Sequence, residues 1–231
     1  MCVLRLFFWL FFSLAAVRME GNEVSQILNL EEILPHVKKG TLVVFDVDDV
    51  LVSPDVSWLW DSEFLKRAMC MTDEEFHSSE TQTFLHSLRF PMKYQLVDQN
   101  APQIFSSIER KEGKILALTA REDIELELRN FLYQNTLSFH PSLIHSVYNE
   151  GVMCTNGTDK GEYLFSSLLE SPQSILFIDD KKENCISLLQ ACAVRKIPCT
   201  VFQYKKADYL SSKVLAQFQY DYWKKKWNPS V

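Results

Sequence analysis

The sequence predicts an open α/β fold: a parallel β-sheet with helices on both faces and a small helical unit inserted after the first strand. Three observations lead there. Four runs are continuously apolar and rich in β-branched residues, helix-patterned segments lie between them, and one long stretch after the first run breaks the alternation.

The first run is Gly40-Thr41-Leu42-Val43-Val44-Phe45-Asp46, opened by a glycine and closed by acids. The others are Lys114–Thr119, Ser174–Asp179 and Pro198–Gln203. None alternates apolar with polar, so both faces of each strand are covered, which is the signature of a parallel sheet. Helices are predicted over Asp123–Gln134, with acids in its first turn, over Lys160–Leu169 and over Asn184–Lys196. In such sheets ligands sit beyond the carboxyl ends of the strands.

From Ser53 to Asn100 no buried-strand pattern is found. Trp58, Trp60, Phe64, Leu65, Met69, Phe76, Phe84, Leu85 and Leu88 recur at helical intervals among polar residues, with Pro54 and Pro91 near the ends. Residues 53–100 therefore read as a helical insertion, and residues 19–52 and 101–231 as the core. Tyr209–Trp227 reads as an amphipathic terminal helix with a solvated basic end; contact with a membrane surface is the second reading.

The chain has 231 residues, 47% hydrophobic and 23% charged, an ordinary globular balance. Its formal net charge of -6 gives no basic surface, so nucleic acid is not an expected partner. Arg5 precedes the apolar run Leu6 to Val17, which ends in small residues. Residues 1–18 thus have the layout of a secretory signal peptide, with Ala15 and Ala16 as cleavage positions, and the protein is expected to be exported, periplasmic or secreted. The run is short for a membrane span, which needs ~20 apolar residues, so membrane contact is expected only through this segment if it stays uncleaved. Six cysteines show no metal-ligand spacing. Export would permit a disulfide, and Cys192 and Cys199 are the closest pair in a turn context, though no bridge is predicted.

The chemistry gathers at strand ends. The first strand runs into Asp46-Val47-Asp48-Asp49, and residues two apart on a strand share a face, so Asp46 and Asp48 are expected to look into one space. Another strand ends in Asp179-Asp180. Carboxylates meeting ~4 Å apart repel by about 4 kcal/mol at an effective dielectric of ~20 and call for a cation. Oxygen-only ligands point to Mg2+. A lone Asp-x-Asp after an apolar run is more often a strand-ending turn. Likewise Thr119 alone reads as a helix cap, and Lys160 alone as a solvated lysine. Together they supply what phosphoryl transfer needs: nucleophile, metal ligands, hydroxyl donor and fixed cation.

Four segments in order carry a resemblance: Val43 to Leu51, Ala117 to Arg121, Lys160, and Ile175 to Asp180. With them the chain resembles the haloacid-dehalogenase-like superfamily over about residues 40 to 204, and in particular a bacterial branch of unknown function and the periplasmic acid phosphatases. The resemblance implies a Rossmann-like core and a cap formed by residues 53–100. It implies that Asp46 is the nucleophile and forms an aspartyl-phosphate, and that Asp48 protonates the leaving oxygen and then activates water. Thr119 would bind a phosphoryl oxygen and Lys160 would offset charge. Mg2+ would be held by Asp46, by Asp48 through its backbone carbonyl, and by Asp179 with Asp180 assisting. Val50 stands where many members have Thr, and Asp49 where Gly is frequent. Lys181 and Lys182 compete with Lys160 for the lysine role. The expected function is an exported Mg2+-dependent phosphomonoesterase acting on a small phosphorylated substrate. The alternative is a non-catalytic secreted binding or effector protein that keeps the fold.

Overall fold

The computed structural model describes residues 23–54, 66, 71–82, 93–145 and 148–206. The strands are β1 (Ser25–Ile27), β2 (Thr41–Phe45), β3 (Val52–Pro54), β4 (Tyr94–Leu96), β5 (Lys114–Thr119), β6 (Val152–Cys154), β7 (Ser174–Asp179) and β8 (Cys199–Tyr204). The α-helices are α1 (Asp73–Phe76), α2 (Ala101–Arg110), α3 (Leu126–Gln134), α4 (Lys160–Ser167) and α5 (Lys182–Arg195). Six strands form one parallel sheet in the order β1-β8-β7-β2-β5-β6. The α/β class expected from the sequence is the one observed, a Rossmann-like sheet flanked by helices.

Strand β2 shows why the apolar runs are continuous. Val43 and Phe45 pack on one face of the sheet with Ile104, Phe105 and Ile108 of α2 and Leu128 and Leu132 of α3. Leu42 and Val44 pack on the other with Leu164 of α4 and Cys185, Leu188 and Cys192 of α5. The Phe45 and Phe105 rings stack with centroids 5.0 Å apart. Burying a side chain of this size is worth roughly 1.5–3 kcal/mol, so alternate positions of one strand anchor both helical layers.

The three principal strands lie within a residue of their expected bounds, and the helices differ at their ends. α3 starts at Leu126 rather than Asp123, because Glu125 is still extended (ψ 151°) and its carboxylate turns back to Arg121. Strands β1 and β6, three residues each, and helix α2 were not anticipated. Three-residue edge strands are too short to show a period. Helix α2 does carry one, burying Ala101, Ile104, Phe105 and Ile108, but it starts where the expected insertion ends.

The stretch 53–100 needs a correction. It contains strand: β3 and β4 pair antiparallel, Val52 with Leu96, Ser53 with Gln95 and Pro54 with Tyr94. Helix α1, capped by Thr72 and Glu75, is the α-helix described between them. Residues 55–65, 67–70 and 83–92 lie outside the described residues, and with them most of the expected helical cap. The expected signal peptide and the helix over Tyr209–Trp227 lie outside them too. Among the described residues no helix is long and apolar enough to cross a membrane, and Cys185, Cys192 and Cys199 are free thiols.

One close approach matters for the site. Gly161 opens α4 against α5, and a Cβ there would stand 2.7 Å from the Ser187 carbonyl oxygen and 2.9 Å from the Ala191 methyl. The Gly161 N–H instead donates to Ser187 Oγ (3.2 Å), whose hydroxyl donates to Asp159 (2.6 Å). The residue before it, Lys160, is thereby carried under the end of β2.

Candidate active site

The end of β2 is central because β5 and β7 flank it, with Phe45 level with Ala117 and Ile178. Asp46 directly follows, its N–H donating to the Ile178 carbonyl (2.8 Å). The chain then turns tightly. The N–H groups of Leu51 and Val52 both donate to the Val47 carbonyl (3.0 Å each), and that of Asp49 to Val52 (2.8 Å). Val47, Val50 and Leu51 are buried under this turn. Asp49 takes a left-handed conformation (φ 59°), which Asp tolerates better than most residues. Asp48 is therefore aimed by a turn, and the strand alternation assumed from the sequence does not extend to it.

The Asp46 carboxylate is buried. Its Oδ1 accepts from Val47 N–H (2.7 Å) and from Lys160 Nζ (2.9 Å). The same ammonium lies 2.6 Å from Asp179 Oδ2. Of the three lysines considered for this site, Lys160 is buried, whereas the exposed Lys181 offers Asp179 only its backbone N–H (2.9 Å) and Lys182 is exposed. Asn184 donates its amide to both Asp179 oxygens, at 3.0 and 3.1 Å. Asp180 follows at the rim of the sheet. Ligand oxygens of Asp46, Asp179 and Asp180 all lie within 4.8 Å of one another, which makes them, among the described residues, the group able to hold a metal ion.

Burial and the charge of Asp179 push the Asp46 pKa well up, against the pull of Lys160. Burial, then Asp179, raises Asp180 to about 6. For Lys160, burial disfavours the ammonium, but Asp46 and Asp179 outweigh it and the pKa is raised. Fully ionised, three carboxylates and one ammonium would carry two net negative charges, and burial and mutual repulsion answer that excess by raising Asp46 and Asp180; the ligand atoms these acids offer are all oxygens.

Asp48 departs from expectation. Its side chain is not in this cluster: Arg121 grips it with two arms, Nε to Oδ2 at 2.9 Å and Nη2 to Oδ1 at 2.7 Å. The Thr119 hydroxyl donates to Asp48 Oδ2 (3.3 Å) and accepts from the Arg121 N–H (3.3 Å), so it serves both as local cap and as neighbour of the acid. Arg121 also reaches Glu125 (2.6 Å) and the Tyr94 hydroxyl (3.4 Å) on β4. Burial works against its charge, yet Asp48 holds its pKa up.

The six expected residues thus reach one rim of the sheet as two linked groups, Asp46, Lys160, Asp179 and Asp180 in one, Asp48 and Thr119 in the other. Arg121 and Asn184 received no role from the sequence. The signal for Arg121 was its place two residues after Thr119, and for Asn184 its place in the first turn of the helix that follows Asp179. The family described as "Protein of unknown function (DUF2608)" matches residues 22–228. No curated protein matches the chain.

Proposed function

The chain belongs to the DUF2608 family, whose description names no activity, and from its own side chains we propose an exported, Mg2+-dependent phosphohydrolase that cleaves small phosphomonoesters. One observation carries the reading: a buried ammonium, Lys160, lies between Asp46 at 2.9 Å and Asp179 at 2.6 Å, beside Asp180, at the end of the central strand. A structural ion pair needs one carboxylate; three around one lysine leave charge for a divalent ion and a substrate anion.

Asp46, Asp179 and Asp180 would hold the ion, with the Asp48 carbonyl implied by family resemblance. When bound, Mg2+ offsets the charge of the carboxylates and of the phosphoryl oxygens. Asp46 is the nucleophile. Its carboxylate bonds to phosphorus as the ester P–O bond breaks, giving an aspartyl-phosphate, and the departing oxygen takes a proton from Asp48. A water molecule then attacks phosphorus, its proton passes back to Asp48, and phosphate leaves Asp46 free. Arg121 orients Asp48 through two bonds and the Thr119 hydroxyl adds a third, leaving one of the about four lone-pair positions for the proton. Thr119, at the same rim, is a hydroxyl donor for a phosphoryl oxygen. The expected export rests on the apolar run after Arg5.

A panel of phosphomonoesters tests this with the full chain, with Mg2+ and with EDTA, beside Asp46→Asn. Hydrolysis that needs Mg2+ and vanishes in Asp46→Asn is expected. Equal behaviour of the two proteins across the panel would remove the assignment.

A further inference from the structure

The end of α5 and the start of β8 carry two cysteines that the site does not use. The chain reverses between them. Lys196 takes a left-handed conformation (φ 57°) and its N–H donates to the Ala193 carbonyl (3.1 Å), while the Ile197 N–H donates to the Cys192 carbonyl (3.0 Å). The Pro198 carbonyl accepts from the Ile175 N–H (2.9 Å), which starts β8 with Cys199 level with Ile175 on β7. Cys192, on the buried face of α5, and Cys199, at the foot of β8, thus share one apolar cluster with Leu42, Ile175 and Val201. Their thiols meet. Cys199 donates its S–H to the Cys192 sulfur, and this contact pulls the Cys192 pKa down and pushes that of Cys199 up.

The other described cysteines are placed differently. Cys185 is buried, and its thiol faces the Asp179 and Phe202 carbonyls at 3.8 and 3.6 Å. Cys154 is on β6, with β5, β2 and β7 between it and β8. Cys192 is only 1% exposed, whereas Cys199 is half-buried, so an oxidant reaches the pair through Cys199.

We infer that Cys192 and Cys199 are an intrachain disulfide site, closed by exchange with a disulfide-bearing oxidant when the chain enters an oxidising compartment. Disulfides persist in such compartments and are rare where thiols are kept reduced. The Cys199 sulfur bonds to one sulfur of the oxidant, whose S–S bond breaks and whose other sulfur leaves with the Cys199 proton. The Cys192 sulfur then bonds to Cys199 and displaces the remaining oxidant sulfur, which takes the Cys192 proton. The protein dithiol is oxidised, and the oxidant is reduced to two thiols. Sulfurs already in contact need only close to a bond of about 2.05 Å. The bridge fastens the last turn of α5 to β8, the two elements that at their other ends bring Asn184 to Asp179 and Gln203 to the Asp180 carbonyl. The inference uses none of the proposed phosphatase chemistry; from that reading it takes only export, as the source of oxidising surroundings.

The full chain, reduced and then equilibrated in mixtures of reduced and oxidised glutathione, tests this. After an acid quench the remaining thiols are alkylated in urea and tryptic peptides are read by mass spectrometry. The peptides 183–195 and 197–205 should appear joined and lighter by two hydrogens, with Cys185 alkylated. Fragment ions of the wild-type peptides locate the link without any variant; beside them, Cys185→Ser should keep it and Cys199→Ser should abolish it. The equilibrium constant against glutathione should be at least about tenfold higher for the folded chain than for the chain in urea, because the fold holds the two sulfurs together. Full alkylation of Cys192 and Cys199 even in excess oxidised glutathione, a link made through Cys185, or an equal constant in urea overturns the inference. Such a failure leaves the hydrolysis reading in place, and a chain that bridges but hydrolyses no phosphomonoester loses that reading and keeps this one.

Discussion

Replacing Lys160 by Met removes the ammonium and keeps most of the apolar stem. Lys160 is 2.9 Å from Asp46 and 2.6 Å from Asp179, and each attraction is worth about 6 kcal/mol at an effective dielectric of ~20. Much of that offsets the cost of burying the charges. The net loss when one member of a buried ion pair is removed is about 3–5 kcal/mol, a large share of the ~5–15 kcal/mol that holds a domain folded. The loss depends on pH. Asp46 already has a raised pKa, from burial first and Asp179 second, and Lys160 is what opposes it. Without Lys160 the folded-state value rises further above that of the unfolded chain, so between the two values the folded state binds more protons. Stability is then retained at low pH and lost as pH rises through the folded value. Urea unfolding at about pH 7.5 and about pH 5 measures this. Lys160→Met should be less stable by about 3–5 kcal/mol at the higher pH, and by clearly less at the lower. Equal stability of the two proteins at the higher pH, or a gap that widens on acidification, would refute the reasoning.

Two further outcomes follow from neighbouring residues. Arg121→Lys keeps the charge and loses the two-armed grip on Asp48; kcat should fall about tenfold with little change in KM, matching the loss of one charged hydrogen bond. Gly161→Ala forces a methyl to 2.7 Å from the Ser187 carbonyl; thermal unfolding should show a loss of about 1–3 kcal/mol, and activity should fall further than that, since Lys160 moves with the start of α4.

What the sequence made legible depended on how far each signal reached along the chain. Strands β2, β5 and β7 are long and covered on both faces, so Val43-Val44-Phe45 or Leu176-Phe177-Ile178 could hardly be read otherwise. Their ends carried Asp46, Thr119 and Asp179, and parallel pairing brings those ends level. The sequence could not say which donors each acid would meet. Asp179 and Asp180 look equivalent in a string of letters, and the difference arises from Asn184 reaching back from the first turn of α5. The grip of Arg121 on Asp48 was hidden for a related reason: it depends on the turn after Phe45, held by the Val47 carbonyl, which no periodicity announces. The short strands β3 and β4 were lost because each finds its partner some forty residues away.

That last pairing has a practical consequence. The chain leaves the core through Val52–Pro54 and returns through Tyr94–Leu96, which pair with each other as a separate two-stranded sheet, and the return is riveted by Asp98, which accepts from Leu30 and Asn100 N–H groups and the Tyr204 hydroxyl and pairs with Lys206. Because Pro54 and Tyr94 are paired, replacing the residues between them carries little entropic cost at the junction. The segment is a graft on a finished stem: it can be exchanged for another or cut back to a tight turn while β2, β5 and β7 keep their order. Exchange of that segment should therefore leave the carboxylates at the end of β2 and β7 where they are.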